Sequence, residues 1–298
     1  MSSAPLIPYV TLPELTLVPA RLFHGFPPIP ISIKPFGALV AIGVYLAAYL
    51  TVQRARRIGL DERAMGSFIG HVVGYGFVGG HVLDELFYYP QRLVDDPLSI
   101  FKLWDGLSSF GGFTGAVIGM LIWRSRLRVP VLPYADNVMA MLPVGWVFGR
   151  AGCATAHDHP GLLSNAWLAV QYPGGGRFDL GLLEMLLTVP LMLAFLWLAR
   201  KPRPWGFFAA LACISYAPLR FALDFLREHD AVPGDIHGAI DPRYFYLTPA
   251  QWECFAMLAF GLFLLRSIVS KLERGEGFER AIVPVALQTA PVGSGSKP

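Results

Sequence analysis

The sequence is poor in charge and in cysteine, and both shortages exclude classes of protein. Only 15% of its 298 residues are charged, whereas 54% are hydrophobic, and the mean hydropathy is +0.49. Soluble domains carry about 25% charged residues. The composition is therefore that of a membrane protein that crosses the bilayer several times.

The few charges and cysteines also argue against several kinds of partner and site. The formal net charge is +3 and the basic residues do not form one patch, so nucleic acid is not an expected partner. The three cysteines, Cys153, Cys213 and Cys254, show no C-x-x-C spacing, which argues against a disulfide framework or a structural zinc site. Cys213 and Cys254 lie in apolar runs and are expected in the core. The first basic residue is Arg21, so the start does not read as a cleavable signal peptide.

Apolar stretches long enough to cross a bilayer recur along the chain. A spanning helix needs about 20 mostly apolar residues. The sequence predicts seven such spans, at approximately 35–52, 66–88, 109–123, 134–151, 180–199, 206–226 and 251–269.

The basic residues between these spans predict their orientation. Arginine and lysine are concentrated after the first, third, fifth and seventh spans, and the other connections are poorer in them. Positive charge favours the cytoplasmic side. We therefore predict an all-α membrane protein with about seven transmembrane helices, its N-terminus outside and its C-terminus in the cytoplasm. Residues 1–34 form an extracytoplasmic segment, 35–270 the transmembrane domain and 271–298 a cytoplasmic tail, partly disordered; 152–179 is a long outside loop.

Two arginines lie where a membrane protein rarely places them. Arg150 ends an apolar run, and Arg220 lies inside another. A charge at membrane depth costs between about 2.5 and more than 10 kcal/mol, depending on the reference scale. Two guanidinium groups offer a permanently charged fork that suits phosphate. The pattern predicts a phosphate-bearing substrate within the bilayer or at its edge.

Other polar residues cluster near the ends of the predicted spans. Arg220, Asp224 and Arg227 are spaced to share one helix face, where Asp224 can pair with either arginine. His81 is spaced to pair with Asp84 or Glu85 one turn later on a helix. In each case the alternative is a structural ion pair that satisfies itself. Asp136 either caps its helix or contacts substrate.

A histidine-rich segment follows Arg150. His157, Asp158 and His159 could bind a metal, but alternate residues point apart unless the loop turns, and no third clear ligand is adjacent. Acid–base or phosphate contact and a solvated loop are the other interpretations. Farther back, Gly111 and Gly112 either offer backbone N–H groups to a phosphate near a helix N-terminus or let two helices pack closely.

In order along the chain, these segments resemble the prolipoprotein diacylglyceryl transferase family. The similarity is strongest over Ala135–Gly152, which contains Asp136, Pro143 and the Arg-x-Gly beginning at Arg150. The other similar stretches are Ile29–Gly37, Gly79–Tyr88, Trp104–Gly115, Arg177–Glu184, Arg220–Asp230 and Leu247–Gln251.

The resemblance implies a fold, a reaction and partners. The family transfers the diacylglyceryl group of phosphatidylglycerol to the cysteine thiol of a lipoprotein precursor, at the outer face of the bacterial inner membrane, and has seven spans with the N-terminus outside. It implies an enzyme of lipoprotein biosynthesis acting on phosphatidylglycerol, membrane lipid and a precursor with a lipobox cysteine, without cofactor or metal.

The resemblance also suggests roles for individual residues. Arg150 and Arg220 would bind the phosphodiester and stabilise the leaving phosphate, and His81 or His157 would take the thiol proton. The residues expected to bind substrate or to hold the arginines are Gly111, Gly112, Asp136, Glu184, Asp224, Arg227, Asp158 and His159.

The sequence departs from the family pattern at four places. Phe110 replaces a histidine, Cys153 replaces an asparagine, and His81 replaces an arginine. The segment Ala156–Gly161 replaces the family's Asn-Gly-Glu-Leu-Trp-Gly. His81, His157 and His159 are the candidates to take over the function of the missing histidine.

Three other functions remain compatible with these residues. A phospholipid-binding or transport protein would keep the headgroup pocket without the chemistry. A transferase with the same lipid donor and another acceptor would keep the whole site. An intramembrane metalloenzyme would use His81, His157 and His159.

Overall fold

The long helices lie where the sequence predicts membrane spans. A computed structural model describes residues 7–18, 31–87, 89–102, 106–228 and 244–275. Within these residues seven helices have between 17 and 26 residues, and an eighth, α3, is short. Their bounds are α1 Pro35–Ile58, α2 Glu62–Phe87, α3 Pro90–Asp95, α4 Ser109–Leu127, α5 Leu132–Ala156, α6 Leu180–Leu198, α7 Phe207–Leu223 and α8 Pro249–Glu273.

Several helices extend beyond the apolar stretches that predicted them. Helix α1 continues to Ile58 through Arg54, Arg56 and Arg57, and α5 already begins at Leu132. Hydropathy locates only the apolar part of a helix, whereas backbone hydrogen bonding continues into its charged ends. The predicted helix positions are therefore confirmed, but several predicted stretches are shorter than their helices.

Five helical segments of the described chain are long and apolar enough to span a membrane. They are α1, α5, α6, the stretch Phe207–Leu226 and α8. Helices α2 and α4 are not among them, because glycines and terminal charges dilute their apolar character. These helices identify an all-α membrane protein.

Glycines let α2 and α4 pack backbone against backbone. A methyl group on Gly79 would lie 2.7 Å from the carbonyl oxygen of Gly111. A methyl group on Gly115 would lie only 2.1 Å from the carbonyl oxygen of Tyr75. No larger residue fits at these positions, so the glycines form a helix-packing seam of the small-residue kind.

The described chain divides into two compact units. The first unit contains the described residues up to Leu50 and from Met139 onward, and the second unit contains Thr51–Val138. Part of the first unit's core is formed by Ala140 and Met141 of α5 with Phe195 of α6 and Phe208 of α7. Cys213 and Cys254 are buried, as predicted, and both are free thiols.

Short strands occur where the sequence predicted only outside loops. Strands β1 (Leu15–Val18) and β2 (Ile31–Ile33) form an antiparallel pair. Strands β3 (Pro160–Leu163), β4 (Val170–Tyr172) and β5 (Gly175–Asp179) form an antiparallel sheet in the order β3-β5-β4. Strands of three to five residues are too short for a periodic pattern. This sheet leads the chain from the end of α5 to the start of α6.

Candidate active site

Both intramembrane arginines lie near helix ends of the first unit. Arg150 lies two turns before the end of α5, and Arg220 lies in the last turn of α7. Two helix starts that capping residues define bring Glu184 and Thr248 to this region. The side chain of Asp179 accepts a hydrogen bond from the Leu182 N–H (2.9 Å) and so begins α6, and Thr248 begins α8 with a capping box.

Arg150 is held by a buried carboxylate. Its Nε lies 2.9 Å from Oε1 of Glu184. The same oxygen accepts hydrogen bonds from Nε1 of Trp146 (3.0 Å) and from the hydroxyl of Tyr216. The Arg150 guanidinium also lies 5.1 Å from the centre of the Trp146 ring. One edge of the guanidinium is thus committed to Glu184.

Arg220 has a second buried carboxylate as its partner. Its Nη2 lies 3.0 Å from Oδ1 of Asp224, and Nε of Arg227 donates to the same oxygen over 3.1 Å. The other oxygen of Asp224 accepts a hydrogen bond from the Thr248 hydroxyl. Asp224 therefore pairs with both arginines of its helix face. Charge pairing and full hydrogen bonding together reduce the cost of burying these groups.

The two arginine clusters are connected and carry excess positive charge. Tyr216 lies one helical turn before Arg220 and donates to Glu184, the partner of Arg150. Three arginines thus share two carboxylates, and the side chains of Arg150, Arg220 and Arg227 remain 18%, 15% and 29% exposed. Partly exposed, paired guanidinium groups can still donate to a bound phosphate.

Two aromatic members of this cluster were not predicted. Trp146 and Tyr216 each lie four residues before an arginine, which is one turn of helix. Both carry a polar hydrogen on an apolar ring, so they suit the edge of a membrane span. That spacing is a signal in the sequence that the analysis of charged residues alone overlooked.

The chain after α5 brings the histidine segment beside the arginines. Gly161 of β3 forms an antiparallel backbone bridge with Arg227. Arg177 of β5 donates to the carbonyl of Gly161 (3.2 Å) and forms an ion pair with Glu228. These contacts connect the start of β3 to Arg227 and Glu228, which follow α7.

His157 fills a structural position in this segment. Its Nδ1 lies 2.7 Å from Oδ2 of Asp179 and its Nε2 lies 3.2 Å from the carbonyl oxygen of Val10. Its ring stacks on Tyr9 at 4.0 Å, and its backbone φ is +52°. Tyr172 also donates to Asp179. Burial is the main cause that raises the pKa of the Tyr172 hydroxyl, and the negative charge of Asp179 adds to it. Both ring nitrogens of His157 lie within hydrogen-bond distance of these oxygens, and its role as proton acceptor stays a prediction.

Asp158 and His159 face the opposite way, toward the arginines. The His159 Nε2 lies 3.9 Å from Oδ1 of Asp158, and that oxygen is buried without a hydrogen-bond partner. Burial lowers the pKa of His159, Asp158 opposes this shift, and the positive charges of Arg150, Arg227 and Arg220 act in the same direction as burial.

Cys153 joins Asp158 and His159 in a cluster that the sequence analysis did not predict. The ligand atoms of the three side chains all lie within 4.8 Å of one another. Cys153 Sγ also accepts a long contact of 3.9 Å from Nη1 of Arg150. A third potential metal ligand therefore lies near the histidine segment in space, although none is adjacent to it in sequence.

His81 lies in the second unit, enclosed by backbone carbonyls. Its Nδ1 and Nε2 each lie 3.2 Å from a carbonyl oxygen, of Gly106 and Ser99 respectively. Glu85, its predicted partner, instead accepts from Ser99 Oγ (2.9 Å) and Arg92 Nη1 (3.0 Å). The side chain of His81 is fully buried. No His81–Glu85 pair occurs among the described residues, and both ring nitrogens of His81 lie against backbone carbonyl oxygens.

The predicted phosphate contacts at Gly111 and Gly112 are also corrected. The Gly111 N–H donates to Ser108 Oγ (3.0 Å), and the Gly112 N–H donates to the Ser108 carbonyl (2.9 Å). Both N–H groups therefore serve the start of α4, and Gly111 packs on the backbone of Gly79. Helix packing is the interpretation that the structure supports. The side chain of Phe110 lies outside the described residues.

Asp136 belongs to a buried polar group of the second unit. It is 1% exposed and exerts an electrostatic attraction on Arg54 of α1. The neighbouring Asn137 accepts from Nη1 of Arg54 (2.7 Å) and donates to the carbonyl of Thr51 (2.9 Å). These contacts join α1 to α5, and the predicted contact of Asp136 with substrate stays a prediction.

Comparison with known proteins gives one consistent family. The profile of the family described as prolipoprotein diacylglyceryl transferase matches residues 25–267. A phosphatidylglycerol–prolipoprotein diacylglyceryl transferase of Chromohalobacter salexigens is 33% identical, over 70% of this chain and 82% of that protein. Proteins of the same name from Vibrio parahaemolyticus and Mannheimia succiniciproducens are 30% and 32% identical, over 79% and 71% of this chain and 86% and 84% of their own lengths.

These matches cover the site as well as the fold. The matched range contains every residue of the arginine clusters and of the cluster around Cys153. The family profile covers far more than half of the chain, and the relatives named here align over most of their own lengths. The chain therefore belongs to the prolipoprotein diacylglyceryl transferase family.

Proposed function

We propose that this membrane protein transfers the diacylglyceryl group of phosphatidylglycerol to the cysteine thiol of a lipoprotein precursor. The observation that carries the proposal is the pair of arginines, Arg150 and Arg220, each held by a buried carboxylate at the end of an apolar helix. The relatives bear the name of this activity. The residues that would bind the phosphodiester of the lipid are therefore in place.

The reaction is a displacement at a glyceryl carbon. The sulfur of the acceptor cysteine forms a C–S bond to that carbon while the C–O bond to phosphate breaks. The electron pair of the broken bond leaves with the phosphate as glycerol phosphate, and the thiol gives up its proton. Negative charge therefore develops on the phosphate oxygen as the bond breaks.

The arginine clusters suit this change in charge. Arg150 and Arg220 would bind the phosphodiester and stabilise the leaving oxygen, with Arg227 supplying the excess positive charge. Glu184 and Asp224 fix the two guanidinium groups before substrate binds, which avoids reorganisation during the reaction. Removing one such donor typically costs about 10²- to 10³-fold in kcat.

The thiol proton needs an acceptor, since a free cysteine has a pKa of about 8.5. His81 and His157 have both ring nitrogens engaged in hydrogen bonds. Asp158 and His159, beside the arginines, are the remaining groups of the predicted set. We assign the deprotonation step to the segment that contains them.

The helix ends support a seven-span topology with the site outside the cytoplasm. The contributing positions are the end of α5, the start of α6, the end of α7 and the start of α8, which lie on one side when successive helices alternate in direction. The connections at the opposite ends carry Arg124, Arg126 and Arg128, then Arg200, Lys201 and Arg203, which favours the cytoplasm for that side. We therefore place the site near the extracytoplasmic face of the bacterial inner membrane.

Transfer in vitro tests the proposal directly. The purified protein in detergent receives phosphatidylglycerol labelled in its acyl chains and a peptide with a lipobox cysteine. We expect labelled peptide with the cysteine peptide and none with a matched serine peptide. Arg150→Ala should abolish the label, whereas Arg126→Ala, at the far end of α4, should not.

Two outcomes would contradict the proposal. Bound phosphatidylglycerol without any transfer or release of glycerol phosphate would indicate a lipid-binding or transport protein. Release of glycerol phosphate without labelled peptide would indicate the same lipid donor with another acceptor.

A further inference from the structure

Three potential metal ligands converge at the point where this chain departs from the family pattern. Sγ of Cys153, a carboxylate oxygen of Asp158 and a ring nitrogen of His159 lie within 4.8 Å of one another. The Asp158 Oδ1 and the His159 Nε2 are 3.9 Å apart, too far for a hydrogen bond. That Asp158 oxygen is buried and accepts no hydrogen bond from the described residues. A buried carboxylate oxygen without a donor is costly and indicates a missing partner.

The separations suit one small cation between the three atoms. Zinc binds sulfur at about 2.3 Å and nitrogen or oxygen at about 2.0–2.2 Å, so neighbouring ligand atoms lie about 3.2–3.6 Å apart in a tetrahedral site. The observed separations, at most 4.8 Å, exceed these values by up to about 1.6 Å, so the side chains would have to rotate inward to bind the ion.

The backbone holds the three residues in this arrangement. The His157 N–H donates to the carbonyl of Cys153 (2.8 Å), and the left-handed conformation of His157 then turns the chain back. His157 is itself anchored to Asp179. The carbonyl of His159 accepts from the Leu180 N–H (3.0 Å), which fixes the other end of the segment. Asp158 and His159 thus return toward the last turns of α5, where Cys153 lies.

The ligand chemistry favours zinc. Thiolate, imidazole and carboxylate together are zinc ligands, whereas magnesium and calcium prefer oxygen alone. A thiolate and a carboxylate neutralise the two charges of the ion. Arg150 lies 3.9 Å from the sulfur, and Glu184 and Asp224 offset the nearby arginine charges.

Three protein ligands are typical of a catalytic zinc site with an open position. Structural zinc sites use four protein ligands, and catalytic sites leave the fourth position to water or substrate. Among the described residues the cluster has three members. The side chains of His159 and Asp158 are 35% and 27% exposed, so the site is accessible from outside.

We propose that Cys153, Asp158 and His159 bind a zinc ion whose fourth ligand is the thiol of the acceptor cysteine. The inference rests on the proposed function. Binding to zinc releases the thiol proton to solvent and holds the sulfur as a thiolate. The thiolate then forms the C–S bond as the C–O bond to phosphate breaks, and the phosphate leaves against Arg150 and Arg220. Zinc would thus do the work of the histidine that Phe110 replaces.

Metal content tests the site without relying on activity. The full chain, purified without a polyhistidine tag, is analysed for zinc by mass spectrometry. We expect one zinc per chain, lost in Cys153→Ala, Asp158→Asn and His159→Asn. The matched controls Cys213→Ala and His71→Asn should retain it. In protein loaded with Co²⁺, a thiolate-to-cobalt charge-transfer band should appear and be absent from Cys153→Ala.

Transfer assays then test the role of the metal. Removing zinc with dipicolinate should reduce labelled peptide at least about 100-fold, and added zinc should restore it. Binding of phosphatidylglycerol should persist in the metal-free protein, because the arginines are intact.

Separate outcomes would overturn the inference and the proposed function. A zinc content of the unmodified protein no higher than that of Cys153→Ala would contradict the inference, and so would undiminished transfer by the metal-free protein. Either result would leave the transferase activity in place. Stoichiometric zinc that depends on all three ligands, with no transfer under any condition, would sink the proposed function and with it the role of zinc in thiol activation.

Discussion

The two units of the molecule both bury polar side chains, but in different ways. In the second unit, His81 and Asn137 are fully buried among groups of the protein, and Arg92, which is 37% exposed, pairs with one fully buried carboxylate, Glu85. In the first unit, Arg150 and Arg220 keep 18% and 15% of their side-chain surface exposed beside carboxylates that are almost fully buried.

This difference separates a structural network from a site. A buried polar group whose partners are all internal stabilises one arrangement of helices. In the first unit three partly exposed arginines share two buried carboxylates, and this excess of positive charge suits an anionic ligand. By sequence alone His81 and Arg150 looked alike, because each is a polar residue near the end of a glycine-containing span.

The largest expected effect comes from changing the shape of one guanidinium group. Arg220→Lys keeps the charge beside Asp224 but loses the planar fork, so we expect transfer to fall about 100-fold or more with little change in the unfolding temperature. The matched change Arg92→Lys in the second unit should leave transfer within about twofold, since Arg92 pairs with Glu85 and is not part of the arginine clusters. Rates of peptide labelling measure both. Equal losses in the two variants would remove the distinction between the units.

A methyl group in the α2–α4 seam should strongly destabilise the second unit. In Gly115→Ala the new methyl group would lie 2.1 Å from the carbonyl oxygen of Tyr75, so we expect a loss of about 3 kcal/mol in stability. Gly74→Ala on α2 has open space within 4 Å and should be neutral or slightly stabilising. Thermal unfolding in detergent compares the two. An unchanged midpoint for Gly115→Ala would mean that the helices are not in contact there.

Removing the charge of Glu85 should cost stability rather than activity. Glu85→Gln loses the ion pair with Arg92 and weakens the hydrogen bond from Ser99. We expect the free energy of unfolding to fall by about 2 kcal/mol, a value kept small because solvent screens the partly exposed Arg92. Transfer per folded molecule should remain within about twofold. Thermal unfolding and labelling rates, normalised to folded protein, separate the two effects. A large loss of rate at unchanged stability would assign Glu85 to the site.

The smallest expected effect is a pH-dependent one at the surface of the second unit. Asp96 pairs with Lys102 at 2.6 Å, and this bond lowers the pKa of the Asp96 carboxyl. A lowered pKa means that the pair contributes stability above the ordinary pKa of about 3.9 and loses it as the pH falls through the folded-state value. Asp96→Asn should therefore lower the unfolding midpoint slightly at pH 7. As the pH falls below the folded-state pKa of Asp96, the unfolding midpoints of the unmodified protein and of Asp96→Asn should converge. A difference between them that grows in acid would contradict the stabilising role of the Asp96–Lys102 pair.

Most helices were predictable because their signals lie in consecutive residues. Apolar runs located all seven long helices, and the pairing of Asp224 with Arg220 and Arg227 followed from their helical spacing. The strands β3–β5 were missed because each is too short to show alternation. The environment of Gly111 was mispredicted because small residues serve equally at helix contacts and at ligand sites.

The sequence by itself determined the membrane class, the positions of the helices, the family resemblance and the two arginines, since these depend on composition, local spacing and ordered motifs. Only the tertiary structure decided which histidine lies beside the arginines. The left-handed turn at His157 directs that residue to Asp179 and turns Asp158 and His159 toward Cys153. Such a choice depends on one backbone angle and on contacts between distant segments, neither of which hydropathy or helical spacing contains.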